Sequence, residues 1–378
     1  MAQDVTNIFA TIVAQEALSI LKSKIVMPNA VYRNYSTELA SHGDTIDIPV
    51  PGSFVANDYD RTVTVQEAAF TKESITLDNH KHVAFDLTSK EMSLPRQDLR
   101  NVLIEPAIQA IVEKVDSDLH ALHKDIIAVD GAVGTSLVVS DITDTRKMLN
   151  KAKAMTSDRS FVLSNDDAAN LLTKDQFINA SSIGQQQNSG LVEGDLGRRF
   201  GFNFFETQQT ASITAADTTA AVNNSGGYAA DTTDIAMDGY SGDAPSEGQL
   251  VTFAGTGHSQ IYTCDAGCTT TLLKIKPPRV DGVLQTGLVA SVDNDEVITF
   301  LEPSNINLAF QKNAIALVTR PLNNFPTGAG AVSASLAQDG LALRVWMKVT
   351  DNGLLRTYVD ILYGCAVIRE AAAVKFIS

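Results

Sequence analysis

The sequence predicts an α+β protein, with helices early and strands dominating its later half. Three observations carry that class. Apolar residues at Ile108, Ile111, Val112, Val115, Leu119, Leu122 and Ile126 fall at steps of three and four, one stripe of an α-helix. Further on, Leu341, Leu343, Val345, Met347 and Val349 alternate with Arg344, Trp346, Lys348 and Thr350, the period of a half-buried strand. Between residues 210 and 303, short apolar runs are separated by Thr-, Gly- and Asp-rich turns, at the spacing of a small antiparallel barrel or sandwich.

The chain of 378 residues suffices for a large core or for several domains. Hydrophobic residues make up 44% and charged residues 19%, as in an ordinary folded soluble chain. No apolar run reaches about 18 residues, so no membrane span is expected. The opening MAQDVTNIF has no basic stretch ahead of an apolar one, so no secretory signal is expected. A net charge of −15 argues against a grip on nucleic acid through many phosphates, which needs a basic face. Cys264, Cys268 and Cys365 are too few for a disulfide framework and suit a reducing cytosol.

Taken in order, residues 4–25 predict an amphipathic helical arm, with Phe9, Val13, Ala17 and Leu21 at steps of four. So short a helix is marginal alone and must lean on something. TIDIPV (45–50), ITL (75–77) and VAFDL (83–87) alternate, and the polar stretch Pro51–Lys72 lies between them. Together they predict a long two-stranded loop lying against a partner. A short helix at Arg96–Ile104 leads into a rod from Pro106 to Ile127, about 33 Å long at 1.5 Å per residue. Pro106 fits the first turn, where its missing N–H costs nothing.

Asp141–Ala154 and Asn165–Leu172 predict capped helices around a strand at Ser160–Leu163. Gly184–Gly201 predicts a loop. The strand candidates of the β-rich region are TDIAM, QLVTFAG, SQIYTC, TTLLKI, GLVASV and EVITFL. NLAFQKNAIALVTRPL (307–322) returns to the earlier style, and Gly328–Ala334 predicts a loop. The hairpin from Leu341 turns at Asp351-Asn352-Gly353 into Leu355, Thr357, Val359 and Ile361.

Few of these residues suggest chemistry. Asp116, His120 and His123 share one helix face at a spacing that could present three metal ligands, but a polar flank beside the apolar stripe explains them as well. His80 and His82 share a strand face yet fall two ligands short of a structural zinc site. Cys264, Cys268 and His258 offer at most three soft ligands. A three-residue turn at Asp265–Gly267 would set Cys264 opposite Cys268, both expected to stay reduced. Asp166 and Asp167 read as a helix cap. There is no G-x-S-x-G, P-loop or G-x-G-x-x-G. The expectation is therefore no metal, no cofactor and no catalysis.

Three stretches carry a resemblance: VEGDLGRRFGFNFFET (192–207), IAMDGYSG with QLVTFAG (235–242 and 249–255), and NLAFQKNAIALVTRPL (307–322). With the order of parts they resemble the major capsid (coat) proteins of tailed bacteriophages, the Johnson or HK-ninety-seven fold, in the P-twenty-two-like branch with an inserted β-domain. The resemblance implies an N-terminal arm at 1–44, an E-loop hairpin at 45–90 and a spine helix at 91–135. It implies an axial domain at 136–211 and 306–337, an inserted all-β domain (I-domain) at 212–305, and a C-terminal spine sheet at 338–378.

It further implies self-assembly into hexamers and pentamers of an icosahedral virion shell enclosing double-stranded DNA. Assembly would take place in the host bacterial cytoplasm with a scaffolding protein, a portal protein and decoration proteins. Asp4 and Glu16 on the arm are then candidate scaffold contacts. Asp58, Asp60, Arg61 and Lys72 are candidate intersubunit contacts of the E-loop. Lys72 also stands where some relatives of this fold carry a cross-linking lysine, although the P-twenty-two-like branch is not known for such a bond. Where the best-known member has a long acidic linking loop, residues 223–233 offer only Asp231 as a charge. The alternative is a β-rich phage tail or adhesin component, suggested by residues 210–303.

Overall fold

The computed structural model describes residues 2–33, 45–50, 56–58, 65, 71–88, 100–178, 196–255, 257–325, 331–350 and 352–378. Asp60, Arg61, most of the polar stretch after Pro51, the start of the helix expected at Arg96, residues 184–195 and Gly328 to Gly330 lie outside them. The chain forms two compact units. One comprises Met1–Ile25, Tyr32–Val112 and Ala316–Ile368, the other Val26–Val31, Glu113–Ile315 and Arg369–Ser378.

Helix α1 (Ala2–Lys24) buries Val13, Ala14, Ala17, Leu18 and Leu21 and turns Thr11, Gln15 and Ser19 outward, so the predicted stripe from Val13 to Leu21 is its inner face. Lys22 and Lys24 occupy its last turn, where positive charge favours the free carbonyls. α2 (Met27–Ala30) is a single turn with a proline at its start. Strands β1 (Thr45–Val50) and β2 (Thr71–Thr76) form a two-stranded antiparallel ribbon, Thr45 opposite Thr76 and Val50 opposite Thr71. The base of the ribbon packs within its own unit, with Ile46, Ile48, Ile75 and Leu77 buried against Ala316 and Val318. β3 is Asn79–Leu87.

The predicted rod is shorter and less regular. A π-helical turn at Arg100–Ile104 runs into α3 (Glu105–His120), which tightens to a 3-10 turn at Ala121–Asp125. Ile108, Ile111, Val112, Val115 and Leu119 are buried as the spacing requires. β4 (Val129–Gly131) precedes α4 (Val139–Lys151), whose opening Val138 N–H is accepted by the Asp141 carboxylate at 3.0 Å. β5 (Arg159–Leu163) leads through the Ser164 cap into α5 (Asn165–Leu171), followed by α6 (Asp175–Ile178), β6 (Arg198–Arg199) and β7 (Phe202–Glu206).

Six strands then close an antiparallel barrel: β8 (Thr219–Val222), β9 (Asp234–Asp238), β10 (Leu250–Phe253), β11 (Tyr262–Cys264), β12 (Leu272–Lys276) and β15 (Val297–Leu301), in the order β10-β11-β12-β9-β8-β15. A closed barrel leaves no free edge. Its alternating inner residues, among them Val222, Ile235, Met237, Phe253, Leu273, Ile275 and Phe300, make a core of their own. GLVASV, expected to be a strand, is not one. Leu288 and Val292 plug the barrel from a segment held by backbone bonds of Val292 with Tyr228 and of Leu288 with Asp231 and Thr232. A small hairpin, β13 (Arg279–Val280) and β14 (Val283–Leu284), turns at Asp281-Gly282, both with positive φ.

After the barrel, β16 (Ile306–Gln311) and β17 (Ile315–Arg320) are parted by a 3-10 turn and enter different sheets. The loop expected at Gly328–Ala334 is in part the start of β18 (Ala331–Gln338). β18 pairs with β19 (Leu341–Val349) through Asp339-Gly340, where both residues have positive φ as a two-residue hairpin turn demands. β20 (Leu355–Val367) pairs with β19 and, on its other side, with β3 and β17, giving a five-stranded sheet in the first unit. α1 packs on β18 and β19. In the second unit β21 (Ala373–Ile377) completes the sheet β4-β21-β16-β5-β7-β6 over a core that includes Phe161, Phe202, Phe204 and Phe376.

Candidate assembly surfaces and buried chemistry

On the ribbon, β1 and β2 place Asp47 and Lys72 side by side, 3.6 Å apart and both mostly exposed. An exposed pair of this kind contributes little to stability, so both charges are available to another surface. Asp58 is exposed, while Asp60 and Arg61 lie outside the described residues. On α1, Glu16 sits on the half-buried flank of the apolar stripe. Asp4 is on the first turns of the same helix, and its side chain lies outside the described part. In the barrel, Asp231 adopts a positive φ and its carboxylate accepts a hydrogen bond from Thr286 Oγ1. That bond ties the one charge of its loop inward, to its own barrel.

The five-stranded sheet carries ion pairs that spacing alone did not reveal. Asp360, only 3% exposed, accepts from Arg344 through Nε at 3.1 Å and through Nη2, and lies 3.2 Å from His80 Nε2. Arg356 grips Asp86 bidentately at 2.6 and 2.7 Å, a geometry that suits the guanidinium fork. His80 is thus paired across the strands with a carboxylate. Trp346 stacks on Tyr358 with centroids 3.7 Å apart, and Phe325 meets Trp346 edge-on.

Asp116, His120 and His123 correct the expectation of a polar flank. Asp116 and His120 are buried, and His123 nearly so. Asp116 Oδ2 accepts the Val26 N–H at 3.4 Å, and burial still pushes its carboxyl up to about 7. His120 Nδ1 accepts the Ala211 N–H at 3.3 Å, which leaves the ring proton on Nε2. Burial lowers His120 to about 4, and burial with the Lys375 charge nearby lowers His123 to about 3. Both rings are therefore neutral. Among the described residues, no group of three or more His, Cys, Asp or Glu is placed to hold one metal ion.

Lys375 gave no signal in the sequence, and it is wholly buried on β21. Its Nζ donates to Thr263 Oγ1 of β11 at 2.9 Å and to the His123 carbonyl at 3.4 Å, and no carboxylate pairs with it among the described residues. Burial, then the neighbouring Lys276 charge, bring it down to about 7. Lys276 itself is well paired, with Asp125 at 3.1 Å, Glu247 at 3.0 Å and the Lys124 carbonyl at 3.1 Å. Together the two lysines fasten the barrel to the end of α3.

Cys264 and Cys268 are free thiols, but they do not oppose each other in the ladder. Cys264 pairs with Ile275, and the chain turns a second time at Thr269–Leu272. The expected three-residue turn gives way to a longer hairpin. No long, apolar helix capable of crossing a membrane occurs among the described residues.

No family model matches this sequence. No curated protein matches it either. Among solved structures, the chain is similar to one of Mycobacterium phage Che8, at 15% identity and TM-score 0.47, over 93% of this chain and 91% of that one. It is similar to the capsid structure of the cyanophage P-SCSP1u at 11% identity and TM-score 0.46, over 89% and 84%. It is also similar to the mature capsid of bacteriophage PhiM1 at 10% identity and TM-score 0.41, over 89% and 82%.

Proposed function

We propose that this chain is a shell subunit of a tailed phage, of the P-twenty-two-like branch of the Johnson fold, with a structural role and no catalysis. The observation that carries the reading is the succession of elements along one chain: arm helix, two-stranded ribbon, long helix, α/β sheet, closed barrel, return strand and closing sheet. That is the order the sequence resemblance implies. On this reading α1 is the arm, β1 and β2 are the base of the E-loop, α3 is the spine helix and the barrel is the inserted domain.

The exposed Asp47, Asp58 and Lys72 belong to a hairpin that reaches a neighbouring copy, and identical heterologous contacts close into hexamers and pentamers. Scaffolding, portal and decoration proteins are the further partners, with Asp4 and Glu16 on the arm as the scaffold contacts. The charge of −15 suits a wall that confines packaged DNA without holding it.

A second reading, a β-rich tail or adhesin component, rests on the barrel alone. It predicts a stable monomer or trimer. Electron microscopy of the protein expressed alone and with its phage's scaffolding protein separates the two. Closed shells of uniform size support the first, and a discrete small oligomer under both conditions would overturn it.

A further inference from the structure

The outermost strands of a sheet present unpaired backbone groups, and proteins blunt such edges with charge, proline, bulges or brevity. In the five-stranded sheet β3 is one outer strand, and it carries His80, Lys81, His82 and Asp86. β18 (Ala-Val-Ser-Ala-Ser-Leu-Ala-Gln) is another, and it has neither charge nor proline. Its register with β19 runs without a bulge from Ala331 opposite Lys348 to Gln338 opposite Leu341. Among the described residues no strand pairs with its far side. We propose that β18 docks edge to edge with β18 of a second copy of this chain, the two strands running antiparallel about a two-fold axis at Ser335.

Symmetry narrows the register. A two-fold axis between antiparallel strands stands perpendicular to the sheet, so like faces adjoin. Val332, Ala334, Leu336 and Gln338 lie on the core face, opposite the buried Met347, Val345, Leu343 and Leu341. Ser333, Ser335 and Ala337 lie on the other face. With Ser335 on the axis, Ala334 stands opposite the partner's Leu336, Ser333 opposite the partner's Ala337, and Gln338 opposite the partner's Val332.

Two observations select that centre. Ser335 Oγ is buried and has no hydrogen-bond partner in its own chain. On the axis it meets its own counterpart, with Cβ atoms about 4.5–5.5 Å apart, and each hydroxyl can both donate and accept. A hollow of about 360 Å³ also opens at the Gln338 end, lined by Gln15 and Leu18 of α1 with Leu336, Ala337 and Gln338. The partner's Val332, on the core face opposite Gln338, fills it. Centring on Ala334 would instead set Ser335 against Ser333, whose oxygen already accepts the Phe325 N–H at 2.8 Å.

One pair of short strands falls below the roughly 1,000 Å² that a stable interface buries. Dilute chains therefore stay monomeric, and pairing appears where copies are concentrated. The pairing needs only two copies and does not rest on the shell reading.

The test compares Ser335→Cys and Ser333→Cys in the full chain, each concentrated, mildly oxidised and mapped by peptide mass spectrometry. Opposed residues lie about 4.5–5.5 Å apart at Cα, within the roughly 4.4–6.8 Å that a disulfide spans. The Ser335→Cys chain should give a covalent dimer linked between the two substituted positions. The Ser333→Cys chain should give no such link, because the two positions 333 are out of register. Equal linking in both variants, or none in Ser335→Cys, would overturn the proposal. The native chain supplies a second measurement. Hydrogen exchange of 331–338 should slow from low-micromolar to near-millimolar protein, and an unchanged rate overturns the pairing even if both variants misfold.

Discussion

Asn307 Nδ2 donates to Asp167 Oδ2 at 2.6 Å, a buried hydrogen bond between residues 140 positions apart. The whole barrel lies between them in sequence, yet β5 and β16 run side by side, with Leu308 opposite Val162. Asp167 is the hub of this junction. Its carboxylate also accepts from the Leu137 N–H at 3.0 Å, Ser378 Oγ at 2.8 Å and Ser164 Oγ at 3.0 Å. Asn307 in turn accepts the Ser164 N–H at 2.7 Å. Removing the hub strands several buried donors at once. Asp167→Ala is expected to cost about 3–5 kcal/mol, measured as urea unfolding followed by circular dichroism. A loss below about 1 kcal/mol would contradict the role given to it.

Asp116 sets a pH dependence of known sign. Its folded value of about 7 exceeds the ordinary 3.8, so the folded chain holds a proton that the unfolded chain has released. Its contribution is fully present below pH 3.8 and is lost as pH rises through about 7. Relative to Asp116→Asn, the native chain should lose about 1.4 kcal/mol per pH unit across that window. His120 and His123 act in the opposite sense. Their folded values of about 4 and 3 lie below 6.5, so their contribution is present above pH 6.5 and lost as pH falls. The difference between native and variant unfolding energies isolates Asp116; a flat difference from pH 4 to 7 would refute it.

Lys375 gives the alkaline counterpart. Its value drops from 10.5 to about 7 on folding, so its contribution is present above pH 10.5 and lost as pH falls toward 7. Lys276, Cys264 and Asp125 are the charged or titratable groups that act on it. Replacing an unpaired buried ammonium by an apolar chain of similar length removes that slope. Lys375→Met should therefore gain on the native protein by about 1.4 kcal/mol per pH unit as pH is lowered from 9.5 to 7.5. Parallel curves over that range would show that the lysine stays charged or solvated.

The shell reading predicts a separation of folding from assembly. Val50 lies opposite Thr71, so a two-residue Asn-Gly turn can replace residues 51–70 without disturbing the ribbon's register. The shortened chain should fold with an unchanged melting temperature and remain monomeric, forming no shells in the presence of scaffolding protein. Normal shells from that chain would mean that the hairpin is not an intersubunit contact.

Much of the fold was legible because its residues alternate or recur. The stripe from Ile108 to Leu119, the alternation of β19 from Leu341 to Met347 and the runs at Ile235 and Ile298 stand where their period places them, whereas Val349, at the end of β19, is exposed. The Asp339-Gly340 turn lies outside the hairpins expected above, though an Asp-Gly pair between alternating strands is among the strongest hairpin signals. β21 was hidden for a physical reason. Ala373 to Ile377 are all buried, and a strand covered on both faces shows no alternation. The buried chemistry was hidden for another. Asp116, His120 and Lys375 count as polar in any pattern of apolar and polar letters, and only tertiary contacts such as the Val26, Ala211 and Thr263 bonds explain why each can lie inside.

The chain leaving the sheet for the barrel and the chain returning from it are stitched together before the barrel begins. Ile306 N–H bonds the Ala211 carbonyl at 3.0 Å, and Ile213 N–H bonds the Pro303 carbonyl at 3.2 Å. For the entropy of closure, everything between those stitches is a loop whose ends already meet, to which the Lys276 and Lys375 bonds add side-chain ties. The entropy of closing a loop grows only with the logarithm of its length, about 0.6 kcal/mol for each doubling. The junction is thus nearly indifferent to how much chain it carries, and turns lengthened or shortened within the barrel should cost the sheet below it little.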